Sequence, residues 1–142
     1  MRVNRVLALF TIAAVVLLGL SAVGASAHTK RFPITGGTAN YERTNTQDRF
    51  FGSIRSDADF CERGRRIRAV RTSNGNVEPS TLTDVDGRWA INLGRFLPQG
   101  SYHIQVVKKV LTPGNHRHTC QAAFAGPFQV GSNASAVARA LR

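Results

Sequence analysis

Between residues 50 and 130 the chain is built from short runs of alternating apolar and polar residues, divided by glycine, proline and asparagine. In the run 87–94, GRWAINLG, the side chains of Trp89, Ile91 and Leu93 fall on one side, because successive side chains of a strand point to opposite faces. The interval holds no pattern long enough for a helix of ordinary length. Short runs separated by turn residues are typical of an all-β sandwich or barrel, and we predict that class of fold.

A second stretch shows the same organisation with more charge. In the run 65–73, RRIRAVRTS, Ile67 and Ala69 share one face of the predicted strand and arginines occupy the other. The segment that follows, 73–76, contains Asn-Gly, which is a strong signal for a hairpin turn. Pro79 then lacks a backbone N–H, so the next run is predicted to be an edge strand or a loop.

The stretch TDVDG ahead of the tryptophan invites three interpretations. An EF-hand loop that began at Asp84 would need glycine at its sixth position and a glutamate at its twelfth, but glycine falls fourth and Arg95 falls twelfth. A glycosidase pair would need two carboxylates across a cleft, and nothing near Asp86 marks one. A turn is favoured, since aspartate begins turns and Gly87 supplies a positive φ.

The order of these motifs resembles the carboxypeptidase regulatory-like domain, also described as transthyretin-like or prealbumin-like. The residues that carry the resemblance are 52–56 (GSIRS), Cys61, 66–71 (RIRAVR), 83–89 (TDVDGRW) and 100–106 (GSYHIQV). The resemblance implies a single Greek-key β-sandwich, usually non-catalytic, that serves as an extracellular folding, adhesion or interaction module. One enzymatic branch hydrolyses hydroxyisourate and ends in Tyr-Arg-Gly-Ser. This chain ends in Ala-Leu-Arg, so that activity is not expected here.

The N-terminus has the order of a secretory signal. Two arginines precede a charge-free run, 6–20, and the small-residue pattern Ala-Ser-Ala ends at Ala27. We predict cleavage after Ala27, with an uncleaved anchor as the alternative, because a bilayer span takes about 20 apolar residues. The predicted divisions are a signal peptide at 1–27, a polar lead-in with at most one short strand at 28–48, the β-sandwich at 49–131 and a tail at 132–142. No later segment is apolar enough to cross a membrane.

Cys61 and Cys120 are predicted to form a disulfide, because exported chains keep their cysteines oxidised. Such a bond closes about 60 residues and would stabilise the fold by roughly 4 kcal/mol in the chain-entropy model. A thiolate metal or redox site is the alternative, but the chain has no Cys-x-x-Cys pair.

Positive charge indicates the class of partner. After removal of the signal, 17 Lys and Arg stand against 8 Asp and Glu, a net charge of +9. The densest cluster comprises Arg63, Arg65, Arg66, Arg68 and Arg71. We predict that this cluster binds an anionic envelope component or a protein partner, with a solvated sheet face as the alternative. Nucleic acid is not favoured, since exposed aromatic residues do not alternate with the arginines.

Histidines suggest a second function. Cleavage after Ala27 would give His28 a free α-amino group beside its imidazole, a chelate suited to copper(II). His116 and His118, in a predicted loop at 112–119, are further candidate ligands, with a solvated loop as the alternative. A small hydrolase on the same fold is a third hypothesis, but no nucleophile and base are recognisable. We expect no catalytic residues and no bound cofactor. Asn133 and Ser135 fit a glycosylation acceptor if the route is eukaryotic.

Overall fold

The structure is a computed structural model that describes residues 27–131 and 137–142. Within these ranges the protein is all-β, with one short 3-10 helix, Asp59–Cys61. The strands are β1 (Thr29–Phe32), β2 (Ile34–Arg43), β3 (Asp48–Ser56), β4 (Arg66–Arg71), β5 (Val77–Leu82), β6 (Arg88–Asn92), β7 (Gly100–Val106), β8 (Lys109–Leu111), β9 (Arg117–Cys120), β10 (Ala123–Val130) and β11 (Val137–Ala140).

These strands form two larger sheets and a small one. Sheet I has the order β10-β7-β4-β5, and sheet II has the order β11-β2-β3-β6. All neighbours in both sheets are antiparallel. The small sheet has the order β1-β9-β8, in which β1 is parallel to β9.

The core lies between sheets I and II, which confirms the predicted all-β sandwich. On sheet II the ring of Phe50 is 5.7 Å from the ring of Phe128 on sheet I, measured between centroids. The predicted inward faces are buried, including Trp89 and Ile91 on β6 and Ile67 on β4. Burial of a large aromatic side chain stabilises a fold by a few kcal/mol, so this cluster supplies much of the driving force for folding.

The TDVDG stretch is a turn between β5 and β6, as predicted. The side-chain oxygen Oδ1 of Asp84 accepts hydrogen bonds from the backbone N–H groups of Asp86 at 2.9 Å and Arg88 at 2.8 Å. Gly87 has φ of 73°, and a Cβ at this position would lie 2.5 Å from the carbonyl oxygen of Ile54. The turn therefore needs glycine for both its conformation and its closeness to β3.

Strands extend beyond the predicted sandwich limits of 49–131. The prediction of at most one short strand at 28–48 is wrong, because this segment holds β1 and β2, and β2 is an inner strand of sheet II with Ala39 and Tyr41 buried. The expected tail at 132–142 contains β11, which pairs with β2. The sequence hides β2 because its side chains are mostly small or polar. It lies against Gly52, where a Cβ would overlap the Thr38 carbonyl oxygen.

Cys61 and Cys120 form the predicted disulfide, with their Cα atoms 5.4 Å apart. The disulfide joins the short helix to the end of β9, and Ala58, Phe32 and Phe60 pack around it. Since β9 begins at Arg117, the predicted loop at 112–119 is strand in its second part. The disulfide thus links the small sheet, through the end of β9, to the short helix that follows β3 of the sandwich.

Some predictions concern residues that the structure does not describe. The predicted signal peptide lies almost entirely in 1–26, and the acceptor pair Asn133 and Ser135 lies in 132–136, so both fall outside the described ranges. Among the described residues, no helix has the length and apolar character of a membrane span.

Candidate functional site

The arginine cluster predicted from sequence is divided by the fold, and Arg65 is removed from it. Arg65 is fully buried, so its assignment to a partner-binding surface is wrong. Its guanidinium donates hydrogen bonds to the backbone carbonyls of Cys61 at 2.9 Å, Val107 at 2.9 Å and Gln121 at 2.7 Å. The signal was present in the sequence: Arg65 is two residues before Ile67 and therefore has the parity of the inward face.

Arg65 is a structural cation held by neutral acceptors. Burial lowers the pKa of Arg65 to about 10, which still leaves the guanidinium charged at neutral pH. Its three carbonyl partners belong to the segment before β4, the segment after β7 and the link between β9 and β10. The side chain thereby ties the disulfide region to both ends of the small sheet.

Arg66 and Arg68 lie together on the outer face of sheet I, as their spacing predicted. Arg66 is exposed and donates from Nη1 to the Ser80 hydroxyl at 3.1 Å. Arg68 is half-buried and donates from Nε to the side-chain oxygen of Gln105 at 2.6 Å. Both partners are neutral, and no ion pair within the described ranges includes either arginine. Their positive charges are therefore directed to solvent or to a ligand.

The remaining two arginines lie at the ends of β4 rather than beside this pair. Arg63 is exposed before the strand, and its backbone carbonyl accepts a hydrogen bond from Nζ of Lys109 at 3.0 Å. Arg71 ends the strand and donates from Nη2 to the carbonyl oxygen of Gln99 at 3.0 Å. Of the five predicted residues, the fold thus places only Arg66 and Arg68 on one face.

A second basic site was not predicted from the sequence. On the outer face of the small sheet, a groove of 440 Å³ is lined by Thr29, Arg31, Lys108, Arg117, Thr119, Gln121 and Ala122. The alternation in TKRF places Thr29 and Arg31 on one face, and that in RHTC does the same for Arg117 and Thr119, but nothing in the sequence shows that β1 pairs with β9. The groove therefore depends on a contact between segments almost 90 residues apart in the chain.

The structure brings two of the three candidate metal ligands together. The imidazole rings of His28 and His116 are 4.2 Å apart between centroids. His118 instead contacts aromatic residues: its ring stacks on Phe60 at 5.3 Å and meets Phe32 edge-on at 5.5 Å. Across the described ranges, no three His, Cys, Asp or Glu side chains gather into a metal-binding group.

The sandwich also contains a buried carboxylate, which serves the fold. Asp48 is fully buried and accepts hydrogen bonds from Nε of Arg43 at 2.7 Å, the Tyr41 hydroxyl at 2.9 Å and the Leu97 N–H at 2.7 Å. Burial alone would raise the pKa of Asp48, but the hydrogen bonds from Arg43, Leu97 and Tyr41 outweigh it and hold the pKa below its ordinary value. Burial, together with the bond to this carboxylate, raises the pKa of Tyr41 to about 12.

Comparison of the chain with protein-family models, curated proteins and solved structures found no match. The resemblance to the transthyretin-like domain therefore stays a prediction, while the β-sandwich itself is observed.

Proposed function

We propose that the protein is an exported, non-catalytic β-sandwich module that binds an anionic component of the cell envelope through the outer face of sheet I. The observation that carries this proposal is the position of Arg66 and Arg68, which lie side by side with neutral hydrogen-bond partners. The disulfide between Cys61 and Cys120 supports an extracytoplasmic location, where such bonds persist.

Guanidinium groups suit this task. Their planar donors match the oxygens of carboxylates and phosphates, and they remain charged at all physiological pH values. Ser80 and Gln105 fix the two guanidiniums without neutralising them, so part of the ordering cost is met before a ligand arrives. The net charge of +9 in 28–142 would also steer the protein towards an anionic surface.

The test is binding of the oxidised chain 28–142 to the isolated envelope of the producing cell at low salt. We expect the double variant Arg66→Ala with Arg68→Ala to weaken binding about tenfold or more, since two charge-assisted contacts are lost. Arg88→Ala with Arg139→Ala is the matched control, because it removes two exposed arginines of sheet II that form no ion pair within the described ranges. Equal losses in both double variants would show that only net charge matters and would contradict the proposal.

We infer a second candidate function, copper(II) binding at a mature N-terminus, from the 4.2 Å approach of the His28 and His116 rings. The α-amino group and imidazole of His28 would form a chelate, and the His116 imidazole would add a third nitrogen. Intact mass of the secreted protein would establish the His28 start, and copper titration would follow. His116→Ala should weaken binding at least tenfold, while His103→Ala, a change on sheet I, should not. A mature chain that begins elsewhere would remove the principal ligand.

A further inference from the structure

The part of the basic groove that lies on β1 and β9 is formed by side chains that point away from the disulfide. The parallel register pairs Thr29 with Arg117 and Arg31 with Thr119. The alternate residues of β1 and β9 face the other way, where Phe32 packs on the disulfide cluster and His118 stacks on Phe60. Two hydroxyls and two guanidiniums therefore share one face in an alternating arrangement.

The segment just before the third strand, β8, completes the groove. Lys109 itself pairs with Cys120, and its ammonium group donates to the carbonyl oxygen of Arg63 at 3.0 Å instead of lining the groove. Lys108, one residue earlier, lines the groove together with Gln121. The backbone of Gln121 is fixed by its N–H, which donates to the carbonyl oxygen of Phe32 at 2.8 Å. The part of the groove on β1 and β9 is thus ordered by the strand ladder, while Lys108 and Gln121 lie just beyond strand ends.

The charge of the groove is uncompensated. No carboxylate is among its lining residues, and the ion pairs in the described ranges leave out Arg31, Lys108 and Arg117. In the parallel register Arg31 and Arg117 are diagonal neighbours on β1 and β9, a placement from which two long arginine side chains can reach one small anion. An anion bound in the groove would therefore meet three cationic side chains and no competing carboxylate.

We propose that this groove binds a phosphate ester, with Arg31, Lys108 and Arg117 on the phosphate oxygens. A carboxylate carries one negative charge and would leave most of these donors unused, whereas a phosphate monoester carries nearly two charges and three terminal oxygens. The hydroxyls of Thr29 and Thr119 and the amide oxygen of Gln121 can also accept a hydrogen bond from the P–OH group of a monoprotonated phosphate. A volume of 440 Å³ is large enough for a small organic group attached to the phosphate.

The site is separate from the surface proposed for envelope binding. Arg66 and Arg68 belong to sheet I, and the groove belongs to the small sheet, so a substitution in one leaves the side chains of the other in place. The two double variants therefore test the two proposals independently.

The experiment is calorimetric titration of the oxidised chain 28–142 with glycerol 3-phosphate, followed by sodium sulfate and sodium acetate. We expect saturable binding of the phosphate ester below about 10 mM, with weaker binding of sulfate and none of acetate. Arg31→Gln with Arg117→Gln should weaken phosphate binding at least tenfold. Arg88→Gln with Arg139→Gln, which removes the same charge from sheet II, should change it less than twofold.

Three results would overturn the proposal: no heat up to that concentration, sulfate binding as tight as phosphate, or an equal loss in the two double variants. If the groove variant does not fold, Lys108→Gln alone serves in its place, since Lys108 is exposed outside the strand ladder. Amide resonances offer a second readout. Phosphate should shift those of Thr119 and Gln121 and leave those of Ser80 and Gln105 unchanged, and the reverse pattern would reject the groove as the site.

Discussion

The sandwich and the small sheet are stabilised in different ways. Sheets I and II enclose a continuous core of aromatic and branched side chains, among them Phe50, Trp89 and Phe128. The small sheet rests on a cluster of three buried residues, Ala58 and the two disulfide cysteines, with Phe32 and Phe60 at its margin. Hydrophobic burial therefore holds the sandwich, while a covalent bond and a few polar contacts hold the small sheet.

The sandwich and the small sheet also differ in how their buried charges are satisfied. Asp48 in the sandwich has a charged partner, Arg43, and fixes the chain at Leu97, between β6 and β7. Arg65 beside the small sheet has no charged partner among the described residues and is satisfied by carbonyl oxygens alone. The candidate ligand groove and the pair of His28 and His116 both lie on the small sheet, which buries fewer apolar side chains than the sandwich. The position of the small sheet therefore depends on the disulfide and on the hydrogen bonds of Arg65.

Removal of the disulfide should separate the two regions most clearly. In Cys61→Ala with Cys120→Ala we expect a loss of roughly 4 kcal/mol in the chain-entropy model. Hydrogen exchange should become fast in β1, β8 and β9, whereas amides of β3 and β7 should lose no more protection than this global loss, because the sandwich core is unchanged. Uniform loss of protection in all strands would contradict the division into two differently stabilised regions.

Replacement of the sandwich carboxylate should give the next largest effect. Asp48→Asn removes the charge that three donors share, and we expect a loss of about 3 kcal/mol, measured by urea unfolding with Trp89 fluorescence. The pKa of Asp48 is held below its ordinary value of 3.8, so its stabilisation is complete above that pH and is lost as the pH falls through the folded-state value. The variant should therefore show a flatter decline of stability below pH 4 than the parent. If stability fell equally steeply below pH 4 in the variant and the parent, groups other than Asp48 would be responsible for the acid sensitivity.

A smaller effect is expected at the other buried charge. Arg65→Lys keeps the charge but cannot donate to all of the carbonyls that the guanidinium reaches, and we expect a loss of about 2 kcal/mol. Exchange should accelerate mainly in β8 and β9, since Val107 and Gln121 lose their partner. If the variant instead weakened the core strands of sheet II by the same amount, Arg65 would not be specific to the small sheet.

Arg66 and Arg68, on the outer face of sheet I, should contribute least to the free energy of unfolding. Arg66→Ala with Arg68→Ala removes one exposed and one half-buried side chain that bond to neutral partners, so the free energy of unfolding should change by less than about 1 kcal/mol. Thermal unfolding of parent and variant side by side measures this. A larger loss would make Arg66 and Arg68 part of the fold and would undermine their use as a binding probe.

Some parts of the fold could be predicted from the sequence and others could not, depending on the kind of contact that forms them. The inward face of β6 was predicted because Trp89 and Ile91 are large and alternate, and the disulfide was predicted from two cysteines in a chain with a predicted signal peptide. The strand β2 escaped notice because Gly36 and Gly37 and several threonine and asparagine residues dilute its pattern, although close packing against β3 needs such small residues.

The basic groove could not be predicted for a different reason. Two four-residue strands, β1 and β9, carry little periodic signal, and their parallel pairing is set by the disulfide region and by the register of the whole domain. The burial of Arg65, by contrast, was predictable from its parity with Ile67 once the strand was assigned. Alternation of apolar and polar residues thus predicts which side chains share a face of a strand. It does not predict which strands pair with each other.

The salt dependence of envelope binding tests the proposed function most directly. Binding of the oxidised chain 28–142 should fall steeply as salt rises, because exposed charge contacts are screened within about 8–10 Å at 0.1–0.15 M. Arg66→Ala with Arg68→Ala should bind more weakly and with a shallower salt dependence than Arg88→Ala with Arg139→Ala. Salt-independent binding, or the same slope in both variants, would contradict the assignment of the outer face of sheet I as the binding surface.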